Sequence, residues 1–460
     1  MNYYARVIFA AIALTATTIS CSDEDRDAKS QSFVLDNGLE VPVDISSDLQ
    51  YLSSDINYDS TSEIDSTKLA RGVRSHNDFS FQLYNILGTE EAKNSLVYSP
   101  LSVRSAFALL YPAVAQSSSS QQDFIDALQF DSNISTELDF QYTMKRKLDE
   151  VDSSSSEEEP EILRQINQVW MDQNYTPNTG YLEIIKSKLN AGLVKLPIGQ
   201  DKEGSRKTIN NFISHNTAGL IEELIPEGVI KPSTATVLTN SIYYKAAWAN
   251  QFEPTATKSA IFNTLDGSTT DVSMMLQTES YDYHQSESHH AVSVNLGSSS
   301  ISLLLVQPLE EDLQSYLAWE QSIGSDTFSS ILSSMSRENV ELEIPKMQIG
   351  EKSISLKPGL QQLGMQNIFT PTTNHFPDLF DAASISPSDS VFVGDVMHQA
   401  KIIFDENGIE AAAATAVTIE VESAAAPVED KITFKVDRPT LFFIFDSESE
   451  LILFMGRIAG

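Results

Sequence analysis

The chain contains very little cysteine. Cys21 is the only one among its 460 residues, so no disulfide bond can form within the chain. Basic residues are also scarce, with 30 Lys and Arg against 64 Asp and Glu, which gives a formal net charge of -34. Such an acidic surface repels nucleic acid and anionic lipid, and we therefore expect no nucleic-acid partner.

Long apolar runs are missing as well. The run over residues 7–16 is shorter than the roughly 20 apolar residues that a membrane-spanning helix needs. Arg6 precedes this run, and small and polar residues follow it, which is the arrangement of an export signal. We expect residues 1–20 to be a signal peptide, and we expect no membrane-spanning segment in the mature protein.

Cys21 follows this signal in a position that resembles the lipidated cysteine of bacterial lipoproteins. We expect it to carry acyl chains that anchor the protein at the bacterial cell surface or in the periplasm. The residues just before it, Thr18, Ile19 and Ser20, depart from the usual pattern, which has a leucine three residues before the cysteine. The alternative is ordinary cleavage nearby, an unmodified thiol and secretion. No membrane contact other than this lipid anchor is expected.

Motifs of catalysis and of metal binding are not found. The sequence has no Gly-x-Ser-x-Gly elbow and no His-Glu-x-x-His motif, so we expect neither an enzyme nor a cofactor. His284, His289 and His290 lie close together in sequence, but no cysteine and no regular ligand spacing accompanies them. This pattern favours a surface loop over a metal site.

The distribution of residues predicts one folded domain behind a tether. Residues 21–74 are rich in Asp and Ser, and we interpret them as a tether that holds the domain off the membrane. Apolar residues at helical spacing predict a helix over 77–87, and Ser99 followed by Pro100 predicts the start of another. Runs typical of strands come later and end in a C-terminal hairpin. This order indicates an α+β fold over residues 75–460.

The most informative segment is 404–431, in which local preferences conflict. Four consecutive alanines, Ala411, Ala412, Ala413 and Ala414, favour a helix, whereas the β-branched residues after them favour a strand. A short surface helix is one interpretation. The conflict is also expected of a segment that adopts two conformations. Small side chains suit a loop that later slides between packed strands, because bulky or charged ones would clash or bury unpaired charge.

Together with four other segments in the same order, this one resembles the serpin family. The matching stretches are 94–114 with its SPxS motif, 237–258 with an asparagine and a tryptophan, 395–408 before the loop, the loop itself, and the C-terminal 437–460. The resemblance implies a serpin fold with about three β-sheets, eight or nine helices and an exposed reactive-centre loop.

The resemblance also implies a single-use protease inhibitor. A serine or cysteine endopeptidase would attack the exposed loop and form an acyl-enzyme, after which the freed loop would insert into the central β-sheet and trap the enzyme. The expected partner is thus the target protease, and the expected state is a monomer. The alternative is a non-inhibitory serpin that acts as a binding or carrier lipoprotein. Such members commonly carry bulky or charged hinge residues, unlike the alanines here.

By the same resemblance, several residues receive roles in loop insertion. The expected hinge is Glu406, Gly408, Ile409, Glu410 and the four alanines, the expected shutter is Ser99, Ser102, Asn240 and His398, and the expected breach residue is Trp248. Gly408 would let the backbone swing. Ile409 departs from the threonine or serine usual in the family, but being uncharged it should still insert.

The position of the scissile bond follows from the family's usual spacing. Counting from the hinge gives Glu422–Ser423, which would suit a glutamate-preferring protease. The stretch from there to Pro439 is longer than in many members, so cleavage at Val421 or within 424–426 stays open. The alanines at 424–426 would suit an elastase-like protease.

Overall fold

The structure is a computed structural model, and it describes most of the chain from residue 33 onward. The described residues are 33–35, 39–42, 50–53, 64–91, 93–154, 161–297, 299–309, 313–350, 352–386, 389–409 and 431–460. The predicted signal peptide, Cys21, the hinge residues from Glu410 to Ala414 and the predicted scissile bond Glu422–Ser423 lie outside these ranges. Within them, no helix combines the length and the apolar character needed to cross a membrane.

Nine α-helices occur in the described residues. They are α1 (Ser66–Glu90), α2 (Pro100–Leu110), α3 (Ser119–Leu128), α4 (Ile134–Ser154), α5 (Thr179–Leu189), α6 (Lys202–Asn216), α7 (Leu313–Ser322), α8 (Ser325–Ser333) and α9 (Lys357–Gln362). Local capping explains two of the starts. The Asp65 carboxylate accepts the N–H groups of Thr67 and Lys68, so α1 begins well before residue 77. Ser99 caps α2 and Pro100 is its first residue, which confirms that prediction.

Twenty strands alternate with these helices in the described part of the chain. They are β1 (Phe33–Val34), β2 (Glu40–Val41), β3 (Gln50–Leu52), β4 (Leu96–Tyr98), β5 (Ile162–Asp172), β6 (Leu193–Leu196), β7 (Thr236–Ala247), β8 (Lys258–Asn263), β9 (Thr269–Gln285), β10 (His289–Asn295), β11 (Ile301–Pro308), β12 (Ser336–Pro345), β13 (Met347–Ile349), β14 (Ile354–Ser355), β15 (Met397–His398), β16 (Ile402–Phe404), β17 (Gly408–Ile409), β18 (Ile432–Lys435), β19 (Thr440–Asp446) and β20 (Leu451–Ile458).

Most strands belong to two large sheets. A seven-stranded sheet, hereafter the central sheet, has the order β13-β16-β17-β7-β5-β6-β3. A nine-stranded sheet has the order β18-β12-β9-β10-β11-β19-β20-β4, with β8 paired to β9. The long strand β9 pairs with β8 and β12 along its length and with β10 only near its end, so this sheet has two regions. The expected α+β fold, with about three sheets and eight or nine helices, is confirmed over the described residues.

The C-terminal hairpin lies in the core. β19 and β20 pair antiparallel from Thr440↔Ile458 to Asp446↔Leu451, and β19 also pairs with β11. Every residue of β11, β19 and β20 is buried. Continuous apolar runs fit strands that are covered on both faces, which confirms the predicted buried hairpin.

The segment interpreted as a tether contributes to the folded unit. β1, β2, β3 and the first turns of α1 all fall within residues 21–74. Leu35, Leu39 and Val41 are buried there. These described residues differ from the expectation because scattered apolar side chains, too sparse to show a periodicity, are enough to fill sites on an existing surface.

Candidate functional site

Strand β7 divides the central sheet into a closed side and an open side. On the closed side, ten consecutive residue pairs join residues 236–245 of β7 to β5. On the open side, the described residues pair with β7 only at Ala246 and Ala247, which face β17. β17 in turn pairs with β16. Two of the predicted hinge residues, Gly408 and Ile409, therefore already lie between two strands at the end of β7.

Gly408 and Ile409, the two hinge residues in β17, occupy a tight position. A Cβ atom on Gly408 would lie 2.0 Å from the carbonyl oxygen of Ala246 and 2.8 Å from Cα of Ala247, so only glycine allows this approach. Ile409 is 1% exposed and belongs to an apolar cluster with Phe404. The sequence suggested that Gly408 lets the backbone swing; the structure adds that close strand contact also requires it.

Trp248 holds the turn that connects β16 to β17. Its indole Nε1–H donates to the carbonyl oxygen of Asp405 at 2.7 Å, and its backbone N–H donates to that of Asn407 at 3.1 Å. The indole is 2% exposed and stacks on Phe404, with 6.2 Å between ring centroids and 14° between planes. The predicted breach residue thus anchors the backbone from which the hinge emerges.

Glu406 anchors the same turn by its side chain. Lys346 Nζ lies 2.5 Å from Glu406 Oε2, and the Thr257 hydroxyl donates to Oε1 at 2.8 Å. Burial alone would raise the pKa of Glu406, but the hydrogen bonds from Lys346 and Thr257 and the charge of Lys346 outweigh it and lower the pKa. The carboxylate is therefore ionised at neutral pH and fixes the turn to the segment between β12 and β13.

Ser99, Ser102 and His398, three of the predicted shutter residues, lie together beneath the sheet. The Ser99 N–H donates to His398 Nε2 at 3.2 Å. The Ser99 hydroxyl donates to the carbonyl oxygen of Leu453 at 2.7 Å and accepts the N–H of Ser102 at 3.1 Å. Burial lowers the pKa of His398 to about 4, so its ring is neutral at pH 7 and Nε2 can accept. This cluster joins β15, the start of α2 and β20.

Asn240, the fourth predicted shutter residue, lies in β7. Its backbone faces Asn167 of β5 in the closed ladder. Its side chain is outside the described part of the structure. Its role therefore stays a prediction.

A cavity of about 750 Å³ lies at the end of β7 opposite to β17. It is lined by the first residues of β7, by residues 390–398 and by one face of α2. Ser102 and His398 are among the lining residues. We call this space the slot cavity. It lies beside the first residues of β7, at the end away from the two residues that face β17.

The three histidines considered for a metal site lie on strands, so the expected surface loop is wrong. His284 is the penultimate residue of β9, and His289 and His290 begin β10, where backbone pairing with neighbouring strands fixes all three. The ring of His290 packs against Phe434 at 4.5 Å between centroids and bonds to Gln307. Over the described residues, no three His, Cys, Asp or Glu side chains are grouped so as to hold a metal ion.

Sequence reasoning missed two residues of the site, Lys346 and Thr257. They contact Glu406 from 60 and 149 positions away in the chain. Lys346 directly follows a strand-like run that ends at Pro345, but a lysine after a strand is ordinary surface chemistry. No local signal distinguishes it, since its partner is set by the fold alone.

Comparisons with known proteins agree with this architecture. A family model described as serpin (serine protease inhibitor) matches residues 74–460. An uncharacterised serpin-like protein of Thermococcus kodakarensis is 29% identical over 386 residues, covering 84% of this chain and 85% of that protein. Human antithrombin-III is 28% identical over 393 residues, covering 84% of this chain and 81% of that protein. The crystal structure of tengpin, a thermophilic serpin in its native state, gives a TM-score of 0.74 at 23% identity and covers 89% of this chain and 100% of tengpin.

The α+β fold, the loop residues that pair beside β7 and the match to the family model together define the class of protein to which this chain belongs. The chain belongs to the serpin family. At the level of the family, its members are protease inhibitors and not, in general, enzymes.

Proposed function

We propose that this protein is a single-use inhibitor of serine endopeptidases, and of cysteine endopeptidases that form the analogous acyl-enzyme. The observation that carries the proposal is the open side of β7. Gly408 and Ile409 already pair with its last two residues, and the slot cavity lies at its other end. A cleaved loop would extend this pairing along β7.

The chemistry of trapping belongs to the protease. Its nucleophilic oxygen or sulfur adds to the carbonyl carbon of the scissile bond, the C–N bond breaks, and the new amino terminus leaves with a proton. The remaining acyl-enzyme ester or thioester attaches the protease to the freed loop. The inhibitor supplies no catalytic group, and its work is mechanical.

Strand insertion is favourable enough to distort an attached enzyme. An inserted strand would run beside residues 236–245 of β7, on the edge opposite the ladder with β5. At about 1 kcal/mol net per ladder hydrogen bond, filling this side gains on the order of ten kcal/mol before packing is counted. The small side chains of Ala411, Ala412, Ala413 and Ala414 suit such a position, since they neither clash nor bury charge.

The target class follows from the loop sequence. Cleavage at Glu422–Ser423 would select a glutamate-preferring protease, and cleavage among the alanines at 424–426 would select an elastase-like one. The protein's location is also part of the proposal: export by residues 1–20 and acylation at Cys21 would hold the inhibitor at the bacterial cell surface or in the periplasm.

The test is to mix the purified protein with glutamate-specific, elastase-like and trypsin-like proteases and to analyse the mixtures on denaturing gels. We expect a complex that survives denaturant with at least one of the first two. Mass spectrometry of the released C-terminal fragment identifies the scissile bond from its first residue. Each protease with its nucleophile chemically blocked is the matched control, and it should give neither complex nor fragment.

A second measurement distinguishes an inhibitory serpin from a non-inhibitory carrier. Loop cleavage should raise the unfolding midpoint in urea strongly if the cleaved loop inserts. Cleavage without a complex, and without added stability, would contradict the proposal and favour the alternative of a non-inhibitory binding or carrier serpin. Cleavage with added stability but without a complex would indicate a loop that inserts too slowly to trap the enzyme.

A further inference from the structure

The pairing of β17 indicates where the next residue of the loop would lie after insertion. Phe404 of β16 and Ala246 of β7 both face Ile409, and both ladders are antiparallel. The residue that follows Ile409 in the chain is Glu410. Continuing the ladder with β7 by one step would therefore place Glu410 directly beside Lys245.

The alternation of side chains along a strand decides which face of the sheet this residue would take. Ile409 is buried in an apolar cluster together with Phe404. Lys245 is half-buried and lies on the opposite face of β7, with Tyr243, which belongs to the apolar cluster that includes residues of α6. We call this face the outer face. An inserted Glu410 would share it with Lys245.

A second lysine borders the same position from the other side. Lys401 directly precedes β16, in which Ile402 and Phe404 are buried and Ile403 is half-buried. Alternation therefore puts Ile403, and Lys401 two residues before it, on the outer face. In the extended ladder Lys401 is diagonal to Glu410, a separation that long side chains can span. The two lysines thus flank the position that Glu410 would take.

Neither lysine has an acidic partner within the described ranges. The ammonium groups of Lys245 and Lys401 form no ion pair and no hydrogen bond there. The Asp405 carboxylate, the next acid along the chain, accepts the N–H groups of Asn407 and Gly408 in the turn. Acidic partners are plentiful in a chain with 64 Asp and Glu against 30 Lys and Arg. Two lysines without a described partner beside one strand position therefore point to a partner that arrives later.

We propose that Lys245 and Lys401 receive the carboxylate of Glu410 when the cleaved loop inserts. The inference rests on the proposed function, because it assumes that insertion occurs. Opposite charges on neighbouring strands stabilise a sheet, and this pair exists only in the inserted state. It therefore adds to the driving force for insertion without stabilising the intact protein. The acid in the hinge enters the sheet on the face where two cations lie.

The same contact favours one register of the inserted strand. A slip by one residue would move every side chain of that strand to the other face of the sheet. It would bury the Glu410 carboxylate on the apolar face without a partner and expose Ile409. The two lysines and the apolar cluster thus select the same register.

The experiment follows two quantities in full-length Lys245→Glu. The first is the yield of complex per cleaved molecule, measured with the protease that forms the complex. A like charge beside Glu410 should lower this yield about threefold in low salt. The loss should shrink in 1 M salt, because dissolved ions screen exposed charges.

The second quantity is the guanidinium midpoint of the intact protein and of protein cut by an elastase-like protease, with the cut mapped by mass spectrometry. Lys245→Glu should lower the midpoint of the cleaved protein by a few tenths of molar and leave that of the intact protein unchanged. Lys68→Glu, at an exposed position on α1, is the matched control. It should keep the original yield and both original midpoints.

A charge swap distinguishes an ion pair from a structural role of Lys245. Glu410→Lys alone should lose yield as Lys245→Glu does. The double variant Lys245→Glu with Glu410→Lys should regain most of the yield, since the two charges are again opposite. If Lys245→Glu does not fold, Lys245→Met replaces it, and adding Glu410→Gln should then cause no further loss.

Two outcomes would overturn the inference. An unchanged yield and cleaved midpoint in Lys245→Glu would show that the lysine does not face Glu410. A double variant that loses more than either single variant would show that the two residues act separately. The unaltered protein distinguishes these failures from failure of the proposed function. If cleavage does not raise its guanidinium midpoint, the loop does not insert and both proposals fail; if cleavage raises it, a negative result concerns the lysines alone.

Discussion

The two edges of β7 differ in how completely they are paired. Toward β5 the ladder is continuous over ten residue pairs, and the Trp170 indole adds a buried bond to the Thr239 hydroxyl at 2.9 Å. Toward β17 only two pairs exist among the described residues, and the slot cavity follows. Among the described residues, a single strand thus has one edge with a long ladder and one edge with two pairs next to the predicted loop. We expect the first edge to contribute mainly to stability and the second mainly to loop insertion.

On the edge of β7 that faces β17, side-chain contacts fix the turn from which the loop begins. Trp248, Glu406, Lys346 and Thr257 fix the turn before Gly408 through side chains. This arrangement positions the start of the loop without filling the rest of the sheet. A loop held at one end can insert in one direction only, from the anchored turn toward the slot cavity.

The largest effect is expected from Ile409→Arg on the open edge. A charge at this 1% exposed position cannot be buried between β16 and β7 without a partner. The loop should still be cut, but the yield of protease complex per cleaved molecule should fall at least about tenfold. Densitometry of denaturing gels measures this ratio. Ile261→Arg, at a 61% exposed site, is the control and should keep the original yield. If Ile409→Arg keeps the original yield of complex, insertion of the loop beside β7 is not needed to trap the protease.

A smaller effect is expected from Ile166→Ala on the closed edge. This substitution should change the stability of the protein and leave the yield of complex unchanged. Ile166 is 0% exposed and lies in β5 opposite β7. Truncation should lower the free energy of unfolding of the intact protein by about 3 kcal/mol through the cavity it leaves. The complex yield should stay unchanged. Urea titration and the gel assay measure the two quantities. A loss of complex equal to that of Ile409→Arg would show that the two edges are not separated.

The smallest effect is expected from acid, through His398 beneath the sheet. Its folded pKa of about 4 lies below the ordinary value of 6.5, because burial disfavours the charged ring. The unfolded chain then binds a proton that the folded chain does not, so stability is full above pH 6.5 and is lost as the pH falls toward 4. The loss should reach about 2 kcal/mol at pH 5. Urea midpoints of the intact protein at pH 8 and pH 5 measure it.

His398→Gln provides the matched comparison for that pH dependence. The variant should lose this increment of acid sensitivity while keeping the part due to His76, whose pKa burial also lowers, to about 3. An identical pH slope in His398→Gln and the unaltered protein would contradict the assignment.

Much of the fold could be predicted from the sequence because its signals are local. The Ser99-Pro100 pair marks a helix start, and the apolar runs at 301–308 and 440–445 mark buried strands. The alanines beside β-branched residues mark a segment with two preferences. The sequence predicts a surface loop for the three histidines, but they lie on β9 and β10. The polar residues around them do not indicate a strand, and the backbone pairing that makes them one depends on the neighbouring strands.

The sequence by itself determined the fold class, since periodicity and capping depend only on neighbours in the chain, and the resemblance of five ordered segments identified the family; the hinge assignment stays a prediction. The tertiary structure alone decided which groups meet. Lys346 reaches Glu406 across 60 positions, Ser99 reaches His398 across 299, and Asn216 reaches Glu40 across 176. Only the tertiary structure shows that, over the described residues, β7 pairs with β5 at ten positions and with β17 at two, because a strand's sequence does not determine which strands lie beside it.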